Sequence, residues 1–268
     1  MKKVLACVLV ALALGGCKTS PTGRTQIMLY PEHQMNEMGV ASFDQIKSKQ
    51  TVDSSQVNNT YVKCIADALI AQLPNKYASQ KWEVVVFKDD SANAFALPGG
   101  KIGVHTGLLK VAQDQHQLAA VMGHEVGHVI AQHANERVSQ SSLLQAGLQV
   151  SNAVMEMNNI EHRNAIMQGL GVGAQVGIAL PFSRSHETEA DIVGLELMAK
   201  AGFKPIGAVE LWQNMEKLGG GERPAEFLST HPSPDSRIQR LNEGMTTANN
   251  LYRNAVQKGL KPTCKAKS

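Results

Sequence analysis

Apolar residues recur at helical spacing along most of the chain. Six segments carry this pattern and predict helices over residues 31–48, 58–73, 107–134, 139–157, 163–178 and 188–201. Two short runs rich in β-branched and aromatic residues, at 82–87 and 101–105, predict strands, and Pro98-Gly99-Gly100 between them is a turn signal. The pattern therefore predicts a mainly α fold with a small β-sheet (α+β), in which the two strands form a hairpin-like element.

The N-terminus has the pattern of an export signal. Lys2 and Lys3 precede an apolar run from 4 to 14, which is too short for a spanning helix. The following Leu-Gly-Gly-Cys17 resembles a lipoprotein processing site, so we expect cleavage before Cys17 and acylation of its thiol and new amine. Lys18, in place of aspartate, resembles the outer-membrane sorting pattern of Gram-negative lipoproteins. The expected location is the periplasmic face of the outer membrane, and an uncleaved signal anchor is the alternative.

Composition and charge narrow the picture further. The 268 residues carry a net charge of +3, and loss of Lys2 and Lys3 with the signal leaves 24 basic against 23 acidic residues. This balance predicts no nucleic-acid partner. Cys7 would leave with the signal and Cys17 would be acylated, so Cys64 and Cys264 remain for a disulfide in an oxidising periplasm, with two free thiols as the alternative.

The segment His124-Glu125-Val126-Gly127-His128 is the strongest chemical signal. On a helix the two histidines lie one turn apart on one face, where both imidazoles can bind one metal ion. Glu125 lies beside that ion, in the position of a general base that accepts a proton from the attacking water. A short pattern of this kind also occurs by chance.

A second acidic helix provides the candidate third ligand. Glu187 and Asp191 share one helical face, whereas Glu189 is rotated by about 200° and is expected to point away. Glu187 would bind the metal, and Asp191 would orient a ligand histidine or deliver a proton. A solvated acidic face is the alternative, although the apolar residues of 190–198 favour burial.

Other histidines fit the metal site less well. His133 lies about 180° from His124 on a continuous helix and is expected to face the wrong way. His105 and His116 have no ligand spacing and are expected on the surface or in loops. A metzincin pattern is excluded, because it requires glycine at 131 and histidine at 134 and both positions are alanine.

These motifs resemble those of the gluzincin family that contains HtpX and the CAAX prenyl proteases, and in particular its periplasmic branch with LoiP and BepA. The resemblance runs from about residue 20 to about 245 and includes the segments 91–100, 101–109 and 230–241. It implies a zincin-like metallopeptidase domain with one Zn²⁺ per chain, bound by His124, His128 and Glu187. It further implies that Glu125 is the base and Asp191 the proton donor. We therefore predict a signal peptide at 1–16, a lipidated linker at 17–30, the peptidase domain at 31–245 and a tail at 246–268.

Two further residues are candidates for the site. His231 is followed by Pro232 and Pro234, and in related enzymes the equivalent histidine approaches the zinc, where it could stabilise the oxyanion or block the water position. The alternative is a loop histidine that caps the next helix. Asn93 could contact a substrate that adds to the edge of the predicted hairpin, although a small polar residue is also ordinary in a turn, and the hairpin could be purely structural.

The resulting functional prediction is a zinc endopeptidase that hydrolyses misfolded or unassembled envelope proteins. The alternative is a non-proteolytic zinc lipoprotein that assists outer-membrane protein assembly, with the assembly machinery as its partner. This alternative is weaker because structural zinc sites usually have four ligands, often cysteines, and no cysteine is close to either motif in the sequence.

Overall fold

The computed structural model describes residues 17–174, 180–219, 231 and 236–265. Within these residues the chain forms mainly helices and two small sheets, which confirms the predicted α+β class. The strands are β1 (Cys17–Thr19), β2 (Thr25–Ile27), β3 (Glu83–Phe87), β4 (Ala94–Leu97) and β5 (Lys101–His105). The helices are α1 (Glu32–Lys49), α2 (Gln56–Ile70), α3 (Asn75–Ala78), α4 (Thr106–Val111), α5 (Gln115–Ile130), α6 (His133–Met157), α7 (Arg163–Ala174), α8 (Leu180–Lys200), α9 (Ile206–Gly219) and α10 (Arg237–Gln257).

The larger sheet has the strand order β3-β5-β4. The prediction that 82–87 and 101–105 form a hairpin is wrong, because β3 and β5 pair in parallel, with Val85 opposite Gly103. The hairpin consists of β4 and β5, which are antiparallel, and its turn contains Gly99 and Gly100, both with positive φ. Strand β4 was not predicted from the sequence, so the turn was assigned to the wrong partner strand. As a result β4, which leads into the turn, is the edge strand that packs against α5.

The predicted helix 107–134 is three helices in the structure. The first break ends at Asp114, the N-cap of α5. Its side chain accepts hydrogen bonds from the backbone N–H groups of His116 and Gln117. The second break is at Gln132, whose backbone is left-handed with φ 56°. Because the chain turns there, His133 starts a new helix and is not fixed at the angle that a continuous helix would give it.

Helix α5 lies at the centre of the fold. All its residues from Gln117 to Val129 are buried, and it packs against α8, α9, α2 and β4. The approach of α8 is close because small residues meet there: a Cβ added at Gly194 would lie 2.7 Å from the backbone nitrogen of His124. This close approach brings the acidic residues of α8 against the histidines of α5.

Both ends of the described chain are attached to the core. The predicted linker contains the β1–β2 hairpin, and the predicted boundary at 245 falls within α10. A disulfide joins Cys64 on α2 to Cys264, so the C-terminal segment is linked to an early helix. The predicted helix 163–178 is present as α7 up to Ala174, and residues 175–179 lie outside the described part. Over the described residues, no helix combines the length and apolar character needed to cross a bilayer.

Candidate metal centre

Helix α5 places His124 and His128 side by side, as the motif predicts. Their Nε2 atoms are 3.1 Å apart and both side chains are largely buried. Glu187 of α8 faces them, with Oε2 at 3.3 Å from His124 Nε2 and Oε1 at 3.5 Å from His128 Nε2. The structure therefore brings together the three residues that were predicted as ligands.

His231 joins the same cluster from a different segment. Its Nδ1 atom lies 3.0 Å from Glu187 Oε2 and 3.3 Å from His124 Nε2. One ligand atom of each of His124, His128, Glu187 and His231 lies within 4.8 Å of every other. His231 is thus the fourth donor of the cluster. Its neighbours at 230 and 232–235, which include the flanking prolines used in the sequence analysis, lie outside the described residues.

The geometry and chemistry of this cluster fit a zinc ion. Tetrahedral Zn²⁺ with ligands at about 2.0–2.1 Å requires ligand atoms about 3.3 Å apart, close to the separations seen here. Glu187 Oε1 is buried and has no hydrogen-bond partner among the described residues, although Arg137 Nη2 lies 3.7 Å away, so this oxygen is available to a metal ion. Imidazole nitrogens with one carboxylate oxygen are also the donors that catalytic zinc prefers.

Asp191 lies behind His124. Its Oδ1 atom is 2.9 Å from His124 Nδ1, and its Oδ2 atom accepts a hydrogen bond of 2.8 Å from Arg237 Nε. Arg237 is fully buried, donates a second bond of 2.9 Å to Glu187 Oε2 and stacks on Trp212. The contacts favour the first of the two predicted roles for Asp191, the orientation of a ligand histidine.

His133 and Glu189 also belong to the surroundings of the site. His133 is not one of the four donors of the cluster, as expected, but it does not face away from the site, because its Nδ1 atom lies 2.8 Å from His128 Nδ1. Glu189 points away from the cluster as predicted, yet it is buried and its Oε2 atom lies 3.1 Å from His133 Nε2. Burial lowers the pKa of His133 to about 4, even though Glu189 opposes this shift.

Two further histidines, His105 and His116, are not among the donors of the cluster. His105 is buried, against the expectation of a surface position, because it lies on β5 and its Nδ1 atom is 2.7 Å from Ser91 Oγ. His116 is partly exposed, and its Nδ1 atom accepts a hydrogen bond from the backbone N–H of Lys204.

Glu125 lies at the inner end of a cleft. Its carboxylate accepts a hydrogen bond from the backbone N–H of Ala96 in β4, and its Oε1 atom is 3.4 Å from His231 Nε2. Burial raises the pKa of Glu125, which makes it a better proton acceptor near neutral pH. A buried carboxylate beside the cluster that is not one of its ligands has the position required of a general base.

The cleft itself has a volume of about 230 Å³ and is mostly apolar. Its apolar lining residues include Met35, Tyr77, Phe95, Leu97 and Val129. Asn93, the predicted substrate contact, is not among the described residues that line it. Asn93 instead accepts a backbone hydrogen bond from His105, and the same segment contributes Phe95 to Pro98 to the cleft.

The roles of His133, Arg237 and the Ala96 amide were not predicted from the sequence. The sequence gives only a weak signal for Arg237, because it is the first residue of α10 and an arginine at a helix end is usually exposed. The sequence gives no such signal for His133, because its position depends on the left-handed backbone of a non-glycine residue, Gln132.

Two histidines one turn apart, a carboxylate from a second helix and a buried acid beside them define the site of a mononuclear metallopeptidase. The comparison with protein families agrees with this class. The model of peptidase family M48 matches residues 56–244, and the chain belongs to this family.

Curated relatives include mitochondrial and bacterial proteases. The chain is 32% identical to mitochondrial metalloendopeptidase OMA1 of Arabidopsis thaliana over 249 residues, 92% of this chain and 47% of that protein. It is 36% identical to OMA1 of Schizosaccharomyces pombe over 169 residues, 63% of this chain and 48% of that protein. It is 25% identical to the beta-barrel assembly-enhancing protease of Escherichia coli over 209 residues, 76% of this chain and 42% of that protein.

The chain thus spans about half the length, or less, of these relatives. The prediction of a metallopeptidase is confirmed by the family. The predicted periplasmic branch stays a prediction, since the two mitochondrial proteins have higher identities than the bacterial one.

Proposed function

We propose that this protein is a zinc-dependent endopeptidase that cleaves misfolded or unassembled cell-envelope proteins. The observation that carries this proposal is the convergence of His124, His128 and Glu187 beside the buried Glu125. The three residues would hold Zn²⁺, which polarises the scissile carbonyl and activates water. Glu125 would accept the proton of the attacking water and pass it to the leaving amine.

The cleft supports a protein substrate in extended form. The edge strand β4 pairs with β5 on one side, and the N–H of Ala96 points to Glu125 on the other. A peptide that adds to this edge would have its carbonyl close to Glu125 without selection of a particular sequence. The apolar cleft wall suits the apolar side chains that misfolded proteins expose and folded proteins bury.

Cleavage of an unfolded protein by a soluble form that begins at Lys18 tests this proposal. Wild type is compared with Glu125→Gln, and zinc content is measured in both. We expect Glu125→Gln to retain zinc and to lose cleavage by at least about 100-fold, the scale of general-base catalysis. Glu210→Gln, an exposed acid-to-amide change on α9, is the matched control and should cleave like wild type. Equal cleavage by wild type and Glu125→Gln would contradict the proposal.

One observation favours the second candidate, a zinc lipoprotein that assists outer-membrane assembly without proteolysis. His231 is a fourth donor, and sites closed by four protein ligands are usually structural. The same contact also fits a reversible block of an active protease. Cleavage by His231→Ala tests the role of this histidine in a protease. If His231 blocks the site, the variant should cleave faster than wild type; if His231 stabilises the transition state, the variant should cleave more slowly. Bound zinc without cleavage by wild type or His231→Ala would favour the assembly function, with the assembly machinery as partner.

The proposed location is the periplasmic face of the outer membrane, through acyl chains on Cys17. Its support is the sequence pattern of 1–17. Mass spectrometry of the mature N-terminal peptide tests it, because acylation adds the mass of the fatty acids to Cys17. Cys17→Ser should release the protein into the soluble fraction. An unmodified Cys17 in the membrane fraction would contradict lipidation.

A further inference from the structure

The two ligand histidines of α5 are held in different ways. His124 contacts the carboxylate of Asp191 directly, at 2.9 Å. His128 instead contacts a second imidazole, since its Nδ1 atom lies 2.8 Å from Nδ1 of His133. His133 continues to a carboxylate, with Nε2 at 3.1 Å from Glu189 Oε2. His128 therefore reaches its carboxylate through an intervening histidine.

The hydrogen bonds in the row His128–His133–Glu189 have one consistent assignment of donors and acceptors. An ionised carboxylate only accepts, so His133 Nε2 donates to Glu189. The Nδ1 atom of a neutral His133 then carries the lone pair, and it accepts a hydrogen bond from His128 Nδ1. This leaves the lone pair of His128 on Nε2, the atom that faces His124 Nε2 and Glu187. The row thus fixes the tautomer of His128 that can bind a metal.

Glu189 in turn is held by the N-terminal hairpin. Its Oε1 atom accepts bonds from the backbone N–H and the hydroxyl of Thr22, at 3.1 and 2.7 Å. Its Oε2 atom accepts from Arg24 Nη2 at 2.9 Å. Both oxygens of this buried carboxylate therefore depend on a segment that lies more than 160 residues away in sequence.

Arg24 also binds a second buried carboxylate, that of Glu136. It makes a bidentate pair with Glu136, at 2.6 and 2.7 Å, and Glu136 Oε2 lies 2.9 Å from His186 Nε2. The ring of His186 stacks on that of His133 at 4.2 Å. The guanidinium thus lies between two buried carboxylates, those of Glu136 and Glu189.

We propose that Arg24 and His133 are positioning residues of the metal site, which hold His128 in its metal-binding tautomer and orientation. This inference rests on the proposed function only in that the site binds zinc. His124 is oriented in the corresponding way by Asp191, whose carboxylate is held by Arg237 of α10. For His128 the arginine comes from the hairpin that follows Cys17, so the affinity for zinc depends on whether this hairpin is in place.

Zinc affinity of the purified soluble protein, measured by competition with a chelator, tests the proposal without any use of proteolysis. Loss of a residue that orients a zinc-bound histidine typically weakens binding by about 10–100-fold. We expect a loss of this size for Arg24→Ala and for His133→Phe, which keeps a ring beside His186 and removes both nitrogens. Thr25→Ala, an exposed change next to Arg24 on β2, is the matched control and should bind zinc like wild type.

Melting temperatures measured with and without zinc distinguish a positioning role from a purely structural role. A residue that only stabilises the fold lowers both melting temperatures equally and leaves the dissociation constant unchanged. A positioning residue reduces the gain in melting temperature on zinc addition. If Arg24→Ala does not fold, Arg24→Lys and His133→Phe decide the question. Zinc dissociation constants within twofold of wild type for His133→Phe would overturn the inference, whether or not the protein cleaves its substrate.

Discussion

The Nδ1 atom of His124 lies 2.9 Å from Asp191 Oδ1, and this contact determines which nitrogen of the ring is available to a metal. Since the carboxylate accepts, Nδ1 carries the proton and Nε2 presents its lone pair to the cluster. Both oxygens of Asp191 are engaged, one by His124 and one by Arg237, and Asp191 is not among the described residues that line the cleft.

Substitution Asp191→Ala should therefore weaken zinc binding by about 10–100-fold, because His124 loses the group that orients it. Chelator competition measures this loss. Asp191→Asn retains an oxygen that can accept from Nδ1 and should have a smaller effect on affinity. If Asp191→Ala binds zinc like wild type, Asp191 does not orient His124; if Asp191→Asn binds zinc and yet does not cleave, Asp191 also takes part in proton delivery.

Substitution Gly194→Ala should disturb the metal site through the backbone. The new Cβ would lie 2.7 Å from His124 N and 2.8 Å from Gly123 C, atoms that cannot move without displacing α5. Overpacking of this kind typically costs about 1–3 kcal/mol, and here it also separates Glu187 from the histidines. Thermal unfolding and zinc content measure the two effects.

Gly147 provides the matched control for that change. It lies on the exposed surface of α6, and no heavy atom lies within 4 Å of the position of its added Cβ. Gly147→Ala should therefore stabilise the protein by up to about 1 kcal/mol, the difference in helix propensity. A destabilisation by Gly194→Ala no larger than the effect of Gly147→Ala would contradict the importance of the α5–α8 contact.

Local patterns predicted much of this site and little of what surrounds it. His124, Glu125 and His128 follow from helical spacing alone, and Glu187 and Asp191 follow from the same rule on a second helix. The left-handed Gln132 does not, because most residues adopt that backbone only when the tertiary structure stabilises it. The position of His133 depends on that single residue.

Long-range contacts explain the other failures. The parallel pairing of β3 with β5 depends on β4, whose four residues are too few for a clear alternating pattern. Arg24 lies 112 residues from Glu136 in sequence, and no local pattern predicts such a pair. Spacing rules thus identify residues that share one element, whereas residues that support the site come from elements joined only by folding.

Loss of the Cys64–Cys264 disulfide should lower stability while the metal site stays intact. The bond closes a loop across 200 residues, and Cys264 is further held because its N–H donates to Gln115 Oε1 at 2.8 Å. Removal of such a native bond typically costs about 2–5 kcal/mol. Cys64→Ser with Cys264→Ser should lower the melting temperature and keep one zinc per chain. Unchanged melting in the double variant would contradict the prediction.

Glu136 should make stability depend on acid pH. Burial alone would raise its pKa, but hydrogen bonds from Arg24, His186 and Gln26 outweigh burial and lower the pKa to about 2. Because the pKa in the unfolded chain is close to 4.5, folding favours the ionised form. This contribution is fully present above about pH 4.5 and is lost as the pH falls through about 2. Its size is on the order of 3 kcal/mol.

Urea unfolding of the EDTA-treated protein between pH 7 and pH 3 measures this contribution without the pH dependence of zinc binding. Glu136→Gln should be less stable than wild type at pH 7, because Arg24 loses its bidentate partner. The difference between the two proteins should shrink as the pH falls below about 4.5, since the unfolded wild-type chain then binds a proton at Glu136 that the folded protein does not. Glu210→Gln, which is exposed, should follow the wild-type profile. Parallel profiles for wild type and Glu136→Gln would show that this carboxylate is not the group whose ionisation stabilises the fold.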